Sequence, residues 1–122
     1  MDSSQSAKPV YTMKGVSDLL EVYEDKVAIT PKGVMGFLTK GTSGMKTIPF
    51  ASISNVQFKK PWPVLKRGYF QFIVSGGNGK GYLAASYDQN TFMYAEQEKL
   101  ALQINAYVEK RMESIHRPQV LP

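Results

Sequence analysis

Short apolar runs separated by turn-forming residues constrain this chain more than any other feature of its sequence. In the clearest run, Phe70, Phe72 and Val74 alternate with other side chains, a two-residue period that is typical of strands. Turn signals such as Pro31-Lys32-Gly33 separate the runs, and this spacing favours an all-β barrel or sandwich. We expect about seven strands, at residues 18–23, 26–30, 34–38, 45–50, 53–60, 68–74 and 81–86.

Near Ala95 the apolar spacing changes to one that predicts a single amphipathic helix ending before Pro118. Acidic side chains at its start and basic ones near its end complement the helix dipole. The apolar stripe consists of Leu100, Ile104, Tyr107, Val108, Met112 and Ile115. Residues 92–94 either extend the last strand or lead into the helix. The predicted organisation is a flexible leader (1–15), a mainly β domain (16–117) and a tail (118–122).

The amino-acid composition bears on the cellular compartment in which this domain is expected. The chain has no Cys, which excludes disulfides and thiolate zinc sites and fits a reducing compartment. It has no apolar run of about 18 residues that would span a membrane, and its polar first residues do not resemble a secretory signal. We therefore expect a cytoplasmic protein, with peripheral attachment to a membrane as an open alternative.

The net charge of +5 is unevenly distributed along the chain. Residues 31–80 carry eight Lys or Arg side chains and no Asp or Glu. A long span of one sign indicates a positive surface and an anionic partner. The alternative is that these cations only protect the edges and loops of the sheets.

Several segments together resemble the small bacterial pleckstrin-homology-like domains, which also occur in phage-encoded proteins. They are residues 33–38 (GVMGFL), 48–60 (IPFASISNVQFKK), 68–72 (GYFQF) and 90–94 (NTFMY), and the resemblance covers residues 16–115. It implies a partly open antiparallel β-barrel capped by a C-terminal helix, with a binding function. Eukaryotic members often hold phosphoinositides between the first two strands. Here we expect Glu24 and Asp25 at that turn, so this lipid site does not carry over.

The loop at residues 59–67 is the main candidate for partner binding, because it sets cations around a Trp between two Pro residues. Trp62 either anchors a partner or plugs the end of the barrel. The candidate partner-binding residues are Lys59, Lys60, Trp62, Lys66 and Arg67, with Lys40 and Lys46. A protein with an acidic surface is the first candidate partner, followed by anionic membrane and then a nucleic-acid backbone. Homo-oligomerisation stays open.

No catalytic constellation is visible in the sequence. His116 is the one His, and without Cys it forms neither a nucleophile pair nor a common zinc site. The Gly-rich residues 75–81 lack the Lys-Ser or Lys-Thr pair of a phosphate-binding loop. We therefore expect no enzyme activity, no cofactor and no metal ion, and a solvated His116 at the helix end.

Overall fold

The computed structural model describes residues 8–32, 45–61, 63, 66–74 and 90–116. These residues form seven strands, a 3₁₀ turn at Phe50–Ser52 and one long helix. The strands are β1 (Tyr11–Lys14), β2 (Asp18–Val22), β3 (Lys26–Pro31), β4 (Lys46–Pro49), β5 (Ile53–Lys59), β6 (Arg67–Val74) and β7 (Thr91–Ala95), and the helix is α1 (Glu98–His116). The predicted class, mainly β with one C-terminal helix, is confirmed.

The strands form two antiparallel sheets with the simplest possible connectivity. The first sheet has the order β1-β2-β3-β4 and the second has the order β5-β6-β7. Within the described residues no strand of one sheet pairs with a strand of the other, so the sheets are not closed into a barrel. A single backbone bond, from the Val16 amide to the Met93 carbonyl at 2.9 Å, links the turn after β1 to β7.

One hydrophobic core lies between the two sheets and α1. Leu20 of β2, Phe70 of β6 and Ile104 of α1 are each completely buried in it. Phe70 lies 4.9 Å from Phe58 and 5.8 Å from Tyr94, measured between ring centroids. The second sheet contributes most of the aromatic rings in this core, and β5 and β6 flank the loop at residues 59–67.

β1 corrects the expectation that residues 1–15 form a flexible leader. Tyr11–Lys14 pairs in register with β2, from Tyr11 opposite Val22 to Lys14 opposite Leu19. Met13 is only 1% exposed and belongs to the core, whereas Thr12 and Lys14 are exposed. Four residues are too few to show a period in the sequence, but one buried side chain is enough to fix the register of a short strand.

The second sheet and the helix meet in a sharp turn. Residues 92–94 belong to β7, and α1 begins at Glu98 rather than near Ala95. Glu96 and Gln97 have φ angles of 57° and 55°, a left-handed conformation that neither a strand nor a helix accepts. The predicted stripe is confirmed, since Ile104 and Val108 are buried and the other four members pack against the core.

The remaining strand predictions agree with the structure within one or two residues. The strand expected at 45–50 is shorter because Phe50 turns into the 3₁₀ segment and buries its ring in the core. The strands expected at 34–38 and 81–86 lie outside the described residues. β6 is the longest strand, and its two faces are both buried between Gly68 and Ile73.

Candidate functional site

The β5–β6 pairing brings four of the predicted partner-binding residues to one end of the second sheet. Lys59 ends β5 opposite Tyr69, and Arg67 begins β6 two residues earlier. Lys59, Lys60, Lys66 and Arg67 therefore lie together at this end, and all four are exposed. We call this set the basic end.

Close backbone packing fixes the chain beneath the basic end. The Tyr94 hydroxyl donates to the Lys59 carbonyl at 3.2 Å. A Cβ on Gly68 would collide with that carbonyl and would lie 2.6 Å from the Tyr94 hydroxyl oxygen, so only Gly fits there. Lys66 adopts a φ of 59° where the chain enters β6. The backbone at this end is therefore held in place while its charged side chains project outward.

Acidic residues from the start of α1 adjoin the basic end, which the sequence analysis did not foresee. Lys60 Nζ lies 3.9 Å from Glu98 Oε2, and both side chains are more than half exposed. Ala95 pairs with Arg67, which brings the exposed Glu96 to the same end of the sheet. The positive charge there is thus partly offset. Pairing β7 with β6 would have predicted these acidic neighbours. The sequence analysis, however, left open whether residues 92–94 extend a strand or lead into the helix.

Of the other candidate residues only Lys46 is described, and it does not lie at the basic end. Lys46 is exposed on β4 in the first sheet, where it pairs with Ile29. Lys40 and Trp62 lie outside the described residues, so the two interpretations of Trp62 both stay predictions. Within the described part of the chain, the site consists of four cations rather than seven residues.

The turn between the first two strands is not the one expected from the sequence. Because β1 precedes β2, residues 15–17 form the first turn, and Glu24 and Asp25 form the second. Gly15 is pressed against the Phe92 ring and the Met93 carbonyl, where a side chain would not fit. The argument that an acidic first turn excludes a lipid site therefore applied to the wrong turn.

The backbone carbonyls of the second turn, at residues 23–26, accept hydrogen bonds from a side chain of α1 and from the 3₁₀ turn. Arg111 Nε donates to the Glu24 carbonyl at 2.9 Å, and the Phe50 amide donates to the Asp25 carbonyl at 2.9 Å. His116 Nε2 lies 3.0 Å from the Phe50 carbonyl, which accepts the bond from the Nε2–H tautomer. His116 is exposed as expected, but it also fastens the helix end to the 3₁₀ turn. We call residues 23–26 the acidic turn.

A groove of about 320 Å³ lies between β5 and the second half of α1. Residues 54–56 line its strand side, and Glu109, Met112, Glu113 and His116 line its helix side. Asn105 Nδ2 donates to Glu109 Oε2 at 3.4 Å. Within the described residues neither Glu109 nor Glu113 forms an ion pair. Sequence analysis missed this groove, because its two walls lie more than fifty residues apart in the chain.

A row of polar side chains crosses the second sheet on the face opposite the core. Gln57, Gln71 and Thr91 are register partners on three neighbouring strands. Gln71 and Thr91 are buried, and among the described residues Gln57 Oε1 and Thr91 Oγ1 have no hydrogen-bond partner. Buried acceptors without a donor are uncommon in folded proteins. The second face of β6 is therefore buried like the first, but it carries Gln71 between Tyr69 and Ile73.

The titratable groups with shifted pKa values lie away from the basic end. Burial raises the pKa of the Asp18 carboxyl, and the nearby Lys32 charge opposes that rise. Burial also raises the pKa values of Tyr23 and Tyr107. These three side chains lie on β2, in the acidic turn and on α1. Among the described residues, no group of three or more His, Asp or Glu side chains could hold a metal ion.

Comparison with protein-family models matches residues 22–109 to a family described as a domain of unknown function, DUF4429. The matched region runs from the end of β2 to the middle of α1 and contains the basic end. No curated protein and no solved structure matches the chain. No helix in the described part of the chain is long and apolar enough to cross a membrane.

Proposed function

Because the chain belongs to the DUF4429 family, whose description assigns no activity, we propose from its geometry that it is a non-catalytic protein-binding domain. Its contact surface is the basic end, and its partner carries an acidic surface. The observation that carries this proposal is the convergence of four exposed cations from two strand ends on a fixed piece of backbone.

The charged side chains of the basic end contribute little to folding stability, which supports a role in binding. Lys59, Lys66 and Arg67 form no ion pair within the described residues, whereas Lys60 Nζ lies 3.9 Å from Glu98 Oε2. Exposed charges add little to folding stability. Complementary charges across an interface, in contrast, speed association and select partners.

The pleckstrin-homology-like resemblance is kept as part of the proposal. Its support is the order of elements, with four strands in one sheet, three in the next and then a helix over the core. The Val16–Met93 hydrogen bond brings the two sheets together beside β1. This assignment concerns the fold, and the binding function rests on the basic end.

Two charge reversals of equal size test the surface. The Lys59→Glu/Arg67→Glu variant alters the basic end, and the Lys14→Glu/Lys46→Glu variant makes the same charge change at exposed positions of the first sheet. Each is passed over an immobilised poly-glutamate peptide and over vesicles containing phosphatidylserine, at low and high salt. We expect only the first variant to lose retention on the peptide, with the larger difference at low salt, where screening is weakest.

Other outcomes of the same measurement assign the surface differently. Loss of vesicle binding with unchanged peptide binding would favour an anionic membrane as the partner. Equal losses in both variants would show that only net charge matters, which contradicts a defined surface. The absence of catalysis is tested separately, since turnover of esters, phosphoesters or peptides that disappears on changing one side chain would refute it.

A further inference from the structure

The groove between β5 and α1 combines an apolar floor with unpaired negative charge. Val56 and Met112 are half-buried in it, while Glu109 and Glu113 are exposed on the helix side. These carboxylates lie in the second half of α1, where the helix dipole already favours cations. The groove is therefore complementary to a positively charged surface.

The basic end and this groove occupy opposite halves of one edge of the molecule. Val56 borders the groove and Lys59 belongs to the basic end, three residues further along the same strand. At about 3.3 Å per residue, the two regions are centred on the order of 10 Å apart along β5. Two copies related by a two-fold axis through this edge would place each basic end against the groove of the other copy.

The β5 edge favours side-chain contact over strand pairing at this axis. Among the described residues β5 pairs with β6 alone. The Val56 amide donates to the Asn55 side-chain oxygen at 2.9 Å, which occupies a backbone group that an added strand would need. The register shift between Ile53 and Asn55 also disrupts the ladder there. Features of this kind protect sheet edges from extension.

We propose that the chain forms a two-fold symmetric dimer in which Lys59 and Arg67 of each copy contact Glu109 and Glu113 of the other. This inference rests on the proposed function, because it names a second copy as a partner of the basic end. A self-complementary contact is used twice in such a dimer, and two-fold dimers are the commonest symmetric assemblies. No segment outside the described residues is needed for either half of the contact.

Sedimentation velocity over a wide range of protein concentration tests this dimer with three variants and two matched controls. The end variant is Lys59→Glu/Arg67→Glu, and the groove variant is Glu109→Lys/Glu113→Lys. The swap variant carries all four changes. Matched controls reverse two charges elsewhere: Lys14→Glu/Lys46→Glu for the end variant and Glu24→Lys/Asp25→Lys for the groove variant. Thermal unfolding of each variant verifies that it folds.

We expect the wild type and both controls to dimerise, with affinity falling as salt increases. In the end and groove variants alone the dimer dissociation constant should rise by about tenfold or more, because like charges then face each other. An equimolar mixture of these two variants should form a heterodimer. The swap variant should dimerise again, because exchanging both charges restores the complementarity.

A wild type that stays monomeric at every concentration would overturn the proposal. So would a dimer that both variants leave unchanged, or a mixture of the two that stays monomeric. Species that keep growing beyond the dimer would contradict the two-fold axis. The proposed function is judged separately. A monomer that still binds poly-glutamate through Lys59 and Arg67 would refute the dimer alone. An end variant that changes neither sedimentation nor poly-glutamate binding would refute both the dimer and the proposed function.

Discussion

The acidic turn and the basic end are both charged turns between strands, but the structure uses them in different ways. At the acidic turn, backbone carbonyls accept hydrogen bonds from Arg111 of α1 and from the Phe50 amide. At the basic end, the Tyr94 hydroxyl donates to the Lys59 carbonyl, and Lys59, Lys66 and Arg67 form no ion pair among the described residues.

This difference separates structural charges from charges available for binding. The Arg111 guanidinium donates a hydrogen bond to the Glu24 carbonyl, so removing this side chain leaves that carbonyl without its donor. Lys59 and Arg67 leave nothing unsatisfied when they are changed, because no described residue depends on their charges. Charge density in a sequence is therefore a poor guide until the partners of each charge are known.

The largest expected effect is on folding stability, and it tests whether β1 is part of the core that supports the acidic turn and the basic end. Met13→Ala removes a side chain that is 1% exposed in the core, and such a change costs about 2–5 kcal/mol of unfolding free energy. Urea unfolding followed by circular dichroism measures the loss. Thr12→Ala on the exposed face of the same strand is the control and should change little. Equal stability of the Met13 variant and wild type would mean that β1 is not part of the fold.

A smaller effect is expected where the basic end meets the core. Gly68→Ala introduces a Cβ against the Lys59 carbonyl and the Tyr94 ring, and overpacking of this kind costs about 1–3 kcal/mol. Tyr94→Phe removes the hydroxyl and serves as the second arm of a double-mutant cycle. The cost of Gly68→Ala should be lower in the Tyr94→Phe background. An identical cost in both backgrounds would show that the hydroxyl does not oppose the added methyl group.

The comparison itself is measured by removing the Arg111 charge, which holds the acidic turn, and by reversing two charges of the basic end. Arg111→Met should lower the unfolding free energy by about 1 kcal/mol, since the Glu24 carbonyl loses its donor. Lys59→Glu/Arg67→Glu should stay within about 0.5 kcal/mol of wild type, as exposed substitutions usually do. Lys110→Met on the exposed side of α1 is the control for Arg111. A larger loss from the basic end than from Arg111 would reverse the comparison.

The smallest effect concerns pH and Asp18. Because burial raises the pKa of this carboxyl, the folded state favours its protonated form, and stability falls as the pH rises through the carboxyl range. Asp18→Asn should therefore raise the melting temperature slightly at neutral pH. The two proteins should converge at a pH below the ordinary carboxyl range, where Asp18 is protonated in both states. A lower melting temperature of the variant at neutral pH would show that the attraction to Lys32 dominates instead.

Sequence reasoning succeeded where the period of apolar residues extends over many positions. The strand at 68–74 and the helical stripe through Ile104 and Val108 were both predicted, because each buries a regular face. It failed at β1, which is four residues long, and at Glu96 and Gln97, whose left-handed backbone carries no sequence signal as strong as Gly. For the candidate site it identified the cations of the basic end but not their acidic neighbours.

The sequence by itself determined the class of the fold and the span that supplies the cations, because local periodicity and composition are properties of neighbouring residues. Only the tertiary structure decided which charges meet. Strand pairing brought Glu96 beside Arg67, and helix packing set Glu109 and Glu113 across from residues 54–56. The physical reason is that these contacts join residues far apart in the chain, so they follow from how the sheets and α1 bury the shared core rather than from any local pattern.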